Sequence, residues 1–258
     1  YQSAYNTVRS VAEKYARVQV IDRDYIANMI FGAEDIVIAL GQDGQVANVM
    51  KYLDGQMLIG VNPDVKRWVG VLLPFEAGDL ERILPEVIKK KRNCRMVTMG
   101  KAETKDGQVL YAVNDFFVGI NNHSSARYQV QFHGKMEQQS SSGIIISTGL
   151  GMTGWYKSVM AEFKGIASAF HLSMPEIPTI GWEEKRLIFS VREPFPSKYT
   201  GADLVYGEIE HDTCLCVTSS MPDQGVIFSD GIQEDSLDFN AGMEVTISVA
   251  ERVGKLVV

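Results

Sequence analysis

The sequence lacks a long hydrophobic run and an excess of positive charge. Its longest apolar runs, near residues 35–40 and 143–146, are as long as a strand, whereas a membrane-spanning helix needs roughly 18–20 apolar residues. The 258 residues include 25 basic and 32 acidic side chains, for a net charge of −7. A negative chain repels phosphate backbones and anionic lipid surfaces. We therefore expect a soluble protein with neither nucleic acid nor a membrane as a partner.

Cysteine and histidine are also scarce, with three and four residues. The number of cysteines is odd, and Cys214 and Cys216 stand two apart in a strand-like pattern, which favours reduced thiols in the cytoplasm over a disulfide framework. The histidines never stand three or four residues apart, as ligands on one helix face would. We predict a cytoplasmic protein and no metal-ligating residues.

What the chain has in ordinary amounts is hydrophobic residues (45%) and charged residues (22%). These values are typical of a globular protein with a sizeable core, and the length suits two modest domains. They exclude a coiled coil, a collagen and a disordered chain. The sequence opens at Tyr1 rather than Met, and we expect the first strand of the fold to be missing from it.

The first part of the chain alternates between helical and strand-like patterns. Helices are predicted over residues 1–16, 46–53 and 79–92, and buried strands over 35–40 and 57–61. Such alternation is typical of an α/β domain with a parallel, Rossmann-like sheet. The basic residues 89–92 at the end of the third helix offset its macrodipole, which is a structural role. We place this nucleotide-binding domain at residues 1–93.

Strands dominate from residue 94 onward. Residues 95–103 and 108–118 are predicted to form a hairpin around a Lys-Asp-Gly turn. Further strands are predicted at 127–133, 143–147, 187–191, 213–218, 226–229 and 245–249, with one helix near 156–170. We predict an all-β sandwich over residues 94–258, with its last strands returning to the N-terminal domain.

Three segments carry the candidate chemistry. Gly41-Gln-Asp-Gly-Gln45 follows a buried strand and precedes a helix, the place where open α/β sheets bind ligands. Its glycines let a phosphate approach the backbone, and Asp43 offers a carboxylate that can orient a hydroxyl or hold Mg²⁺. Asp and Gly are also ordinary turn residues, so this segment alone leaves both interpretations open.

The second and third segments lie in the β-rich half. Asn114 and Asp115 interrupt an apolar strand, where their side chains would point to opposite faces. Asn114 could form paired contacts with an adenine edge or be a buried structural amide. Residues 142–155 carry a strand into a turn rich in Thr and Gly at a helix start, a second place with free N–H groups.

In this order, the three segments resemble the motifs of the NAD kinase family, which belongs with the diacylglycerol kinases in one superfamily. The family's G-G-D-G-T is similar to residues 41–45, its N-E to Asn114-Asp115, and its D-G-x-x-V-S-T-P-T-G-S-T-A-Y to residues 142–155. The resemblance extends through residues 226–258, so that it covers nearly the whole chain. The family's architecture, an α/β domain followed by a β-sandwich, agrees with the boundary placed near residue 93.

The resemblance implies transfer of the ATP γ-phosphoryl group to the 2′-hydroxyl of the adenosine ribose of NAD, with Mg²⁺ accompanying ATP. It makes Asp43 the catalytic carboxylate and places Gly41 and Gly44 on the phosphate path. Asn114 and Asp115 would hold the adenosine. The facing wall of the cleft would be formed by Thr153, Gly154, Trp155 and Ser158. It also implies a homodimer or homotetramer.

Departures from the family pattern keep two alternatives open. Ser142 stands where the family has an aspartate associated with the nicotinamide side, which allows a kinase that acts on another sugar or lipid hydroxyl. Gln42 and Gln45 replace a glycine and a threonine of the family, which allows a nucleotide-binding or regulatory protein without turnover. Gly149 replaces a proline of the family and would loosen its turn.

Overall fold

The structure is a computed structural model that describes residues 1–174 and 176–258. The chain divides into two compact units. Unit 1 comprises Tyr1–Val97 and Arg252–Val258, and unit 2 comprises Thr98–Glu251. No helix in the part of the chain that the structure describes combines the length and hydrophobicity needed to cross a membrane.

Unit 1 is an α/β unit. Its helices are α1 (Gln2–Glu13), α2 (Asp43–Met50) and α3 (Leu80–Ile88), with short 3-10 helices at Arg23–Asn28 and Ala77–Asp79. Its strands are β1 (Ile36–Leu40), β2 (Met57–Asn62) and β3 (Phe75–Glu76). β4 (Cys94–Thr104) begins in this unit and continues into unit 2.

The sheet of unit 1 is parallel, as predicted. β1 and β2 pair in parallel from Ile36 opposite Met57 to Leu40 opposite Val61. β3 also runs parallel to β2, and so does the last strand of the chain through Lys255. Helices α1 and α3 contribute apolar side chains to a core shared with β2. This core lies on one face of the sheet, and Ala39 and Leu58, which point to the other face, are buried as well. Burial on both faces explains the nearly continuous hydrophobic residues of β1 and β2.

Unit 2 is built almost entirely of strands. After β4 they are β5 (Val109–Ala112), β6 (Asp115–Ile120), β7 (Ala126–Phe132), β8 (Lys135–Ser141), β9 (Ile144–Ser147), β10 (Arg186–Val191), β11 (Tyr206–Glu210), β12 (Leu215–Ser219), β13 (Gly225–Ser229), β14 (Ile232–Asp238) and β15 (Glu244–Val257). β15 ends in unit 1. Between β9 and β10 lie a 3-10 helix (Gly151–Thr153) and α4 (Trp155–Ala169).

The strands of unit 2 form two antiparallel layers. In one layer β15, β12, β7 and β8 are neighbours in that order, and β4 pairs with β5. The other layer has the order β11-β10-β9-β6-β13-β14. Alternate side chains of both layers meet in one core, with Phe116, Tyr128 and Phe189 among its largest members. This is the predicted sandwich.

The opposite face of the second layer is partly covered by helix. Tyr156 of α4 packs with Ile180 and with Ile188 of β10 in a small separate cluster. The β6–β9 pairing sets Asp115 opposite Ser147 and Phe117 opposite Ile145. Because strand side chains alternate between faces, these residues point away from the sandwich core, on the side of α4. Of the residues predicted to bind a nucleotide, Asp115 therefore points to the outward face of this layer, where α4 lies.

Several predicted element boundaries are wrong. Helix α2 begins at Asp43 rather than residue 46, and α3 ends at Ile88 rather than residue 92. Lys90 and Arg92, beyond α3, form ion pairs with Glu34 and Glu86 at 2.8 and 3.0 Å. The last turn of α3 contains no basic residue, so Lys90 and Arg92 pair with carboxylates rather than offsetting the helix macrodipole as predicted.

The predicted strand 108–118 is also wrong, because the chain bends at residues 113–114 and its halves join different layers. β8, β11 and β14 were not predicted. All three carry many polar residues and alternate less clearly than the core strands, which explains why hydrophobic periodicity does not indicate them.

Candidate functional site

In unit 1 the chain turns from β1 directly into α2. Gly41 follows the strand and its N–H donates to the carbonyl of Val61 on β2, at 3.2 Å. Gln42 has extended backbone and caps the helix, and Asp43 is the first residue of α2. A carboxylate in the first turn is stabilised by the positive end of the helix dipole. The candidate catalytic residue thus lies at the carboxyl end of a parallel strand.

The Asp43 carboxylate is fixed by a hydrogen bond. Its Oδ1 accepts from the backbone N–H of Leu72 at 2.7 Å. Asp43 is half-buried, and no second hydrogen bond or ion pair to its carboxylate is found among the described residues. One carboxylate oxygen is thereby held in place while the other stays available to a ligand.

The segment that contains Leu72 is itself held by close packing and hydrogen bonds. The Leu72 carbonyl lies 1.9 Å from where a side-chain Cβ would be at Gly60, so only glycine allows this approach to β2. Asn62 Nδ2 donates to the carbonyl of Trp68 at 3.0 Å, and Asn62 Oδ1 accepts from the N–H of Asp64 at 2.9 Å. The donor to Asp43 therefore belongs to an ordered segment.

The two predicted phosphate-path glycines differ in their surroundings. A Cβ at Gly41 would meet the side-chain oxygen of Gln45 at 2.7 Å, whereas a Cβ at Gly44 would meet nothing within 4 Å. Gln42 is exposed and Gln45 is half-buried. Gly44 thus leaves the backbone of the first helical turn open, and the Gln45 side chain covers Gly41.

In unit 2, Asn114 lies in the bend between β5 and β6 rather than on a strand, which corrects its predicted placement. The Asp230 carboxylate holds this bend by accepting the backbone N–H groups of Val113, Asn114 and Asp115 at 3.0, 2.6 and 3.3 Å. The backbone donors of the bend are therefore directed at Asp230.

The turn after β9 packs against the same bend. Thr148 donates its N–H to the carbonyl of Asn114 at 2.9 Å and its hydroxyl to the carbonyl of Val113 at 2.6 Å. A Cβ at Gly151 would lie 2.0 Å from the Asn114 carbonyl oxygen. The backbone of Asn114 is hydrogen-bonded on both sides. Its half-buried side-chain amide, by contrast, has no hydrogen-bond partner in the described part of the chain. It is free to contact a ligand.

Asp115 is buried without a partner for its carboxyl group. The residue is 7% exposed, and its side chain accepts no hydrogen bond from any described residue. Burial, and then the negative charge of Asp230, raise its pKa to about 7. A Cβ at Gly154, just before α4, would lie 3.9 Å from Asp115 Oδ2. The carboxyl group therefore lies near the first turn of α4.

Three aromatic rings continue this face of the sheet. Phe117 stacks on Trp155 with ring centroids 5.6 Å apart and on Phe228 at 5.0 Å. The Phe117 ring occupies space left by glycines, since a Cβ at Gly119 or Gly143 would come within 2.6 Å of it. The Trp155 ring is thereby given a fixed position at the start of α4.

Arg192 adds a positive charge to this aromatic group. Its guanidinium carbon lies 5.4 Å from the centre of the Trp155 ring. The backbone N–H of Arg192 donates to the carbonyl of Gly143, and the backbone carbonyl of Arg192 accepts the N–H of Ser142, both at 2.9 Å. The position where the family has an aspartate is thus occupied by a neutral serine beside an arginine.

The other predicted wall residues are accessible. Thr153, Gly154 and Ser158 are exposed, and the Thr153 hydroxyl donates to the carbonyl of Leu150 at 3.3 Å. Gly149 is not a loose position, which corrects the expectation, because a Cβ there would lie 2.2 Å from the carbonyl oxygen of Gly181.

The structure groups the predicted residues within each unit. Gly41, Asp43 and Gly44 lie together where β1 turns into α2 in unit 1. The remaining predicted residues, from Asn114 to Ser158, belong to unit 2. That both groups line one cleft stays a prediction.

Sequence reasoning missed two residues that contact the predicted ones, Asp230 and Arg192. Asp230 lies in an Asp-Gly pair, which indicates a turn but not a partner. Nothing in the local pattern indicates the contact of Arg192 with Trp155. Among the described residues no group of three His, Cys, Asp or Glu side chains could hold a metal ion.

Comparison with known proteins shows the fold. No protein-family model and no curated protein matches the chain by sequence. The structure is similar to that of yeast NADH kinase, solved in complex with NADH, with a TM-score of 0.70 and 15% sequence identity. The match covers 100% of this chain and 79% of the yeast chain. The chain therefore has an NAD kinase-like fold, in agreement with the architecture implied by the sequence motifs.

Proposed function

We propose that the protein is an NAD kinase-like phosphotransferase that moves the γ-phosphoryl group of ATP to the 2′-hydroxyl of the adenosine ribose of NAD or NADH. The observation that carries this proposal is the Asp43 carboxylate, held by the Leu72 N–H in the first turn of α2. The NAD kinase-like fold and the order of the three motifs support it.

Asp43 would act on the attacking hydroxyl. A sugar hydroxyl is a poor nucleophile, and a carboxylate that accepts its hydrogen bond directs it at the phosphorus and takes up its proton. The N–H groups at the start of α2 would offset the phosphate charge, and the open backbone at Gly44 leaves room for close approach. Mg²⁺ would arrive bound to the ATP phosphates, its usual form in kinase sites.

Unit 2 would hold the adenosine. The free amide of Asn114 has the donor and acceptor that an adenine edge requires, and the Asp115 carboxyl group could bond to ribose hydroxyls. Exposed Thr153, Gly154 and Ser158, with Trp155, would form the facing wall. The same family resemblance leads us to propose a cytoplasmic homodimer or homotetramer.

The test is an assay for NADP or NADPH after incubation with ATP, Mg²⁺ and either NAD or NADH, with Asp43→Asn as the matched control. Asparagine keeps an oxygen that accepts the Leu72 N–H, so that the variant keeps its turn but loses its base. We expect turnover to fall at least 100-fold, the usual contribution of a general base. Product formation that survives this change would contradict the role of Asp43.

Two other functions remain as outcomes of the same assay. Product with another sugar or lipid hydroxyl, and none with NAD or NADH, would indicate a kinase with a different acceptor, as neutral Ser142 allows. Saturable nucleotide binding without product from any acceptor would indicate a regulatory binding protein, as Gln42 and Gln45 allow.

A further inference from the structure

The outward face of β6, β9 and β10 has opposite charges at its two ends. Asp115, Ser147 and Ile188 lie side by side in one row. Gly143 immediately precedes β9 and Arg192 immediately follows β10, each four residues from this row, and the backbone N–H of Arg192 bonds to the carbonyl of Gly143. Four residues of strand span about 13 Å. The backbone of Arg192 thus lies about 13 Å along the strand direction from the row that holds Asp115, and its guanidinium lies over the Trp155 ring on the same face.

The Arg192 guanidinium has no strong counter-ion. Its only ion pair among the described residues is with Glu193, at 3.7 Å, and the Glu193 side chain is 57% exposed. A solvated pair at this distance contributes little. The Arg192 side chain is 30% exposed, so that part of its fork of N–H donors remains open to a ligand.

The aromatic group keeps this cation in a fixed place. Arg192 lies over the Trp155 ring, which stacks on Phe117, and a cation over an indole face is attracted to it electrostatically. An arginine held in this way presents a planar pair of donors that matches a carboxylate or a phosphate. A preorganised guanidinium whose ion pair is long and solvated can bind an anion.

Resting on the proposed function, we propose that the acceptor of this enzyme is a dinucleotide that carries a negatively charged group, such as a carboxylate, at the end remote from its adenosine, and that Arg192 binds this group. Asn114 and Asp115 would take the adenosine end, because neutral hydroxyl groups can donate to the Asp115 carboxyl. An anionic group would be repelled there by Asp115 and Asp230, and it would be bound at Arg192.

The neutral side chain of Ser142 also favours an anionic ligand at Arg192. The backbone N–H of Ser142 bonds to the backbone carbonyl of Arg192, so that an aspartate at this position would add a negative charge beside Arg192. Such a carboxylate would pair with Arg192 and repel an anionic ligand. Serine leaves the positive charge uncompensated.

The experiment uses two acceptors that differ by a single charge, NAD with its carboxamide and nicotinic acid adenine dinucleotide with a carboxylate. For each we measure kcat/KM with ATP and Mg²⁺ at pH 7.5 and low salt. We expect the wild type to prefer the carboxylate about tenfold or more, the size of one charge-assisted hydrogen bond. Arg192→Gln should bring the ratio below about twofold, and Arg192→Lys should keep part of it.

Ser142→Asp should shift the preference toward NAD. The control is Lys185→Gln, which removes an exposed cation just before β10 and should leave the ratio of the two kcat/KM values unchanged. Thermal unfolding checks that each variant folds. A wild-type preference for NAD, or a ratio that Arg192→Gln does not change, would overturn the inference while turnover itself upholds the proposed function.

If no acceptor is phosphorylated, the proposed function fails and binding still decides the role of Arg192. Calorimetric dissociation constants of the same two dinucleotides, measured for the wild type and Arg192→Gln, then replace kcat/KM. A carboxylate preference that Arg192→Gln removes supports the anion site, and equal affinities overturn it.

Discussion

The two candidate turns of the molecule share a plan and differ in their packing. In unit 1, β1 leads into α2 through Gly41, and in unit 2, β9 leads into α4 through Gly149 and Gly151. The first turn presents a half-buried carboxylate held by one N–H. The second lies against a buried carboxyl group that has no hydrogen-bond partner among the described residues and a pKa raised to about 7.

The glycines of the two turns show what this difference means. Added Cβ atoms at Gly149 and Gly151 would collide with backbone carbonyls at 2.2 and 2.0 Å, whereas one at Gly44 would meet nothing within 4 Å. Glycine at positions 149 and 151 is required by packing, and glycine at position 44 is not. An open glycine beside a carboxylate is available to a ligand, and a packed turn forms a rigid wall. Substitutions in each turn test this contrast.

The largest effect is expected at the packed turn. Gly151→Ala would drive a methyl group into the Asn114 carbonyl, and neither the bend nor the turn can yield easily because Thr148 bonds to both Val113 and Asn114. We expect a loss of about 4 kcal/mol in the free energy of unfolding, or failure to fold. Urea unfolding monitored by fluorescence measures it.

Gly165→Ala, within α4, is the control for that change. Gly165 is exposed, and an added Cβ there would meet nothing within 4 Å. Its unfolding free energy should stay within about 1 kcal/mol of the wild type. Equal losses in the two variants would show that the turn is not packed as described.

Much of this fold can be predicted from the sequence, because the relevant forces are local. The buried strands β1 and β2 and the helix α4 follow from hydrophobic periodicity, and the position of Asp43 follows from the rule that ligands bind at the carboxyl ends of parallel strands. The helix start at Asp43 is harder to predict, because Gln42 caps α2 without a side-chain hydrogen bond.

The remaining features depend on contacts distant in sequence. Asp230 bonds to the bend at Asn114, 116 residues away, and no local sequence pattern predicts a contact between residues so far apart. The break between β5 and β6 falls within an apolar run, for which hydrophobic periodicity predicts one continuous strand. The contact of Arg192 with Trp155 likewise requires the register of β9 and β10. Tertiary contacts, rather than propensities, determine these parts of the site.

The second prediction concerns the buried carboxyl group. Its folded-state pKa of about 7 lies above the value of about 4 expected in the unfolded chain. Between these values the folded state holds a proton that the unfolded state has lost, so stability falls as the pH rises from about 4 to 7. Above pH 7 the full cost of the buried charge beside Asp230 is present.

Asp115→Asn removes this titration. The variant should gain stability relative to the wild type as the pH rises, by roughly 2–4 kcal/mol between pH 4 and pH 8. Urea unfolding of both proteins at four pH values gives the difference directly. If the unfolding free energies of the two proteins depended on pH in the same way, the pKa of Asp115 would not be raised in the folded state.

The third prediction separates the structural and chemical roles of Asp43. Asp43→Ala removes the acceptor of the Leu72 N–H and should cost about 1–2 kcal/mol of unfolding free energy. Asp43→Asn keeps an acceptor oxygen and should cost less than about 0.5 kcal/mol. Both should lose turnover alike. If asparagine destabilises the fold as much as alanine does, the hydrogen bond depends on the negative charge, and the asparagine variant no longer isolates the chemistry.

The smallest change in stability is expected at Gly44, in the open turn between β1 and α2. This substitution tests directly whether the two turns differ in their packing. Gly44 is a helical residue with nothing within 4 Å of an added Cβ, so Gly44→Ala should stabilise the protein by about 0.5–1 kcal/mol through helix propensity. The same methyl group would occupy the space through which a phosphate approaches the backbone, and kcat/KM for ATP should fall about tenfold or more. A variant that is more stable and less active would show that this glycine serves a ligand. A variant that is more stable and equally active would place the phosphates elsewhere.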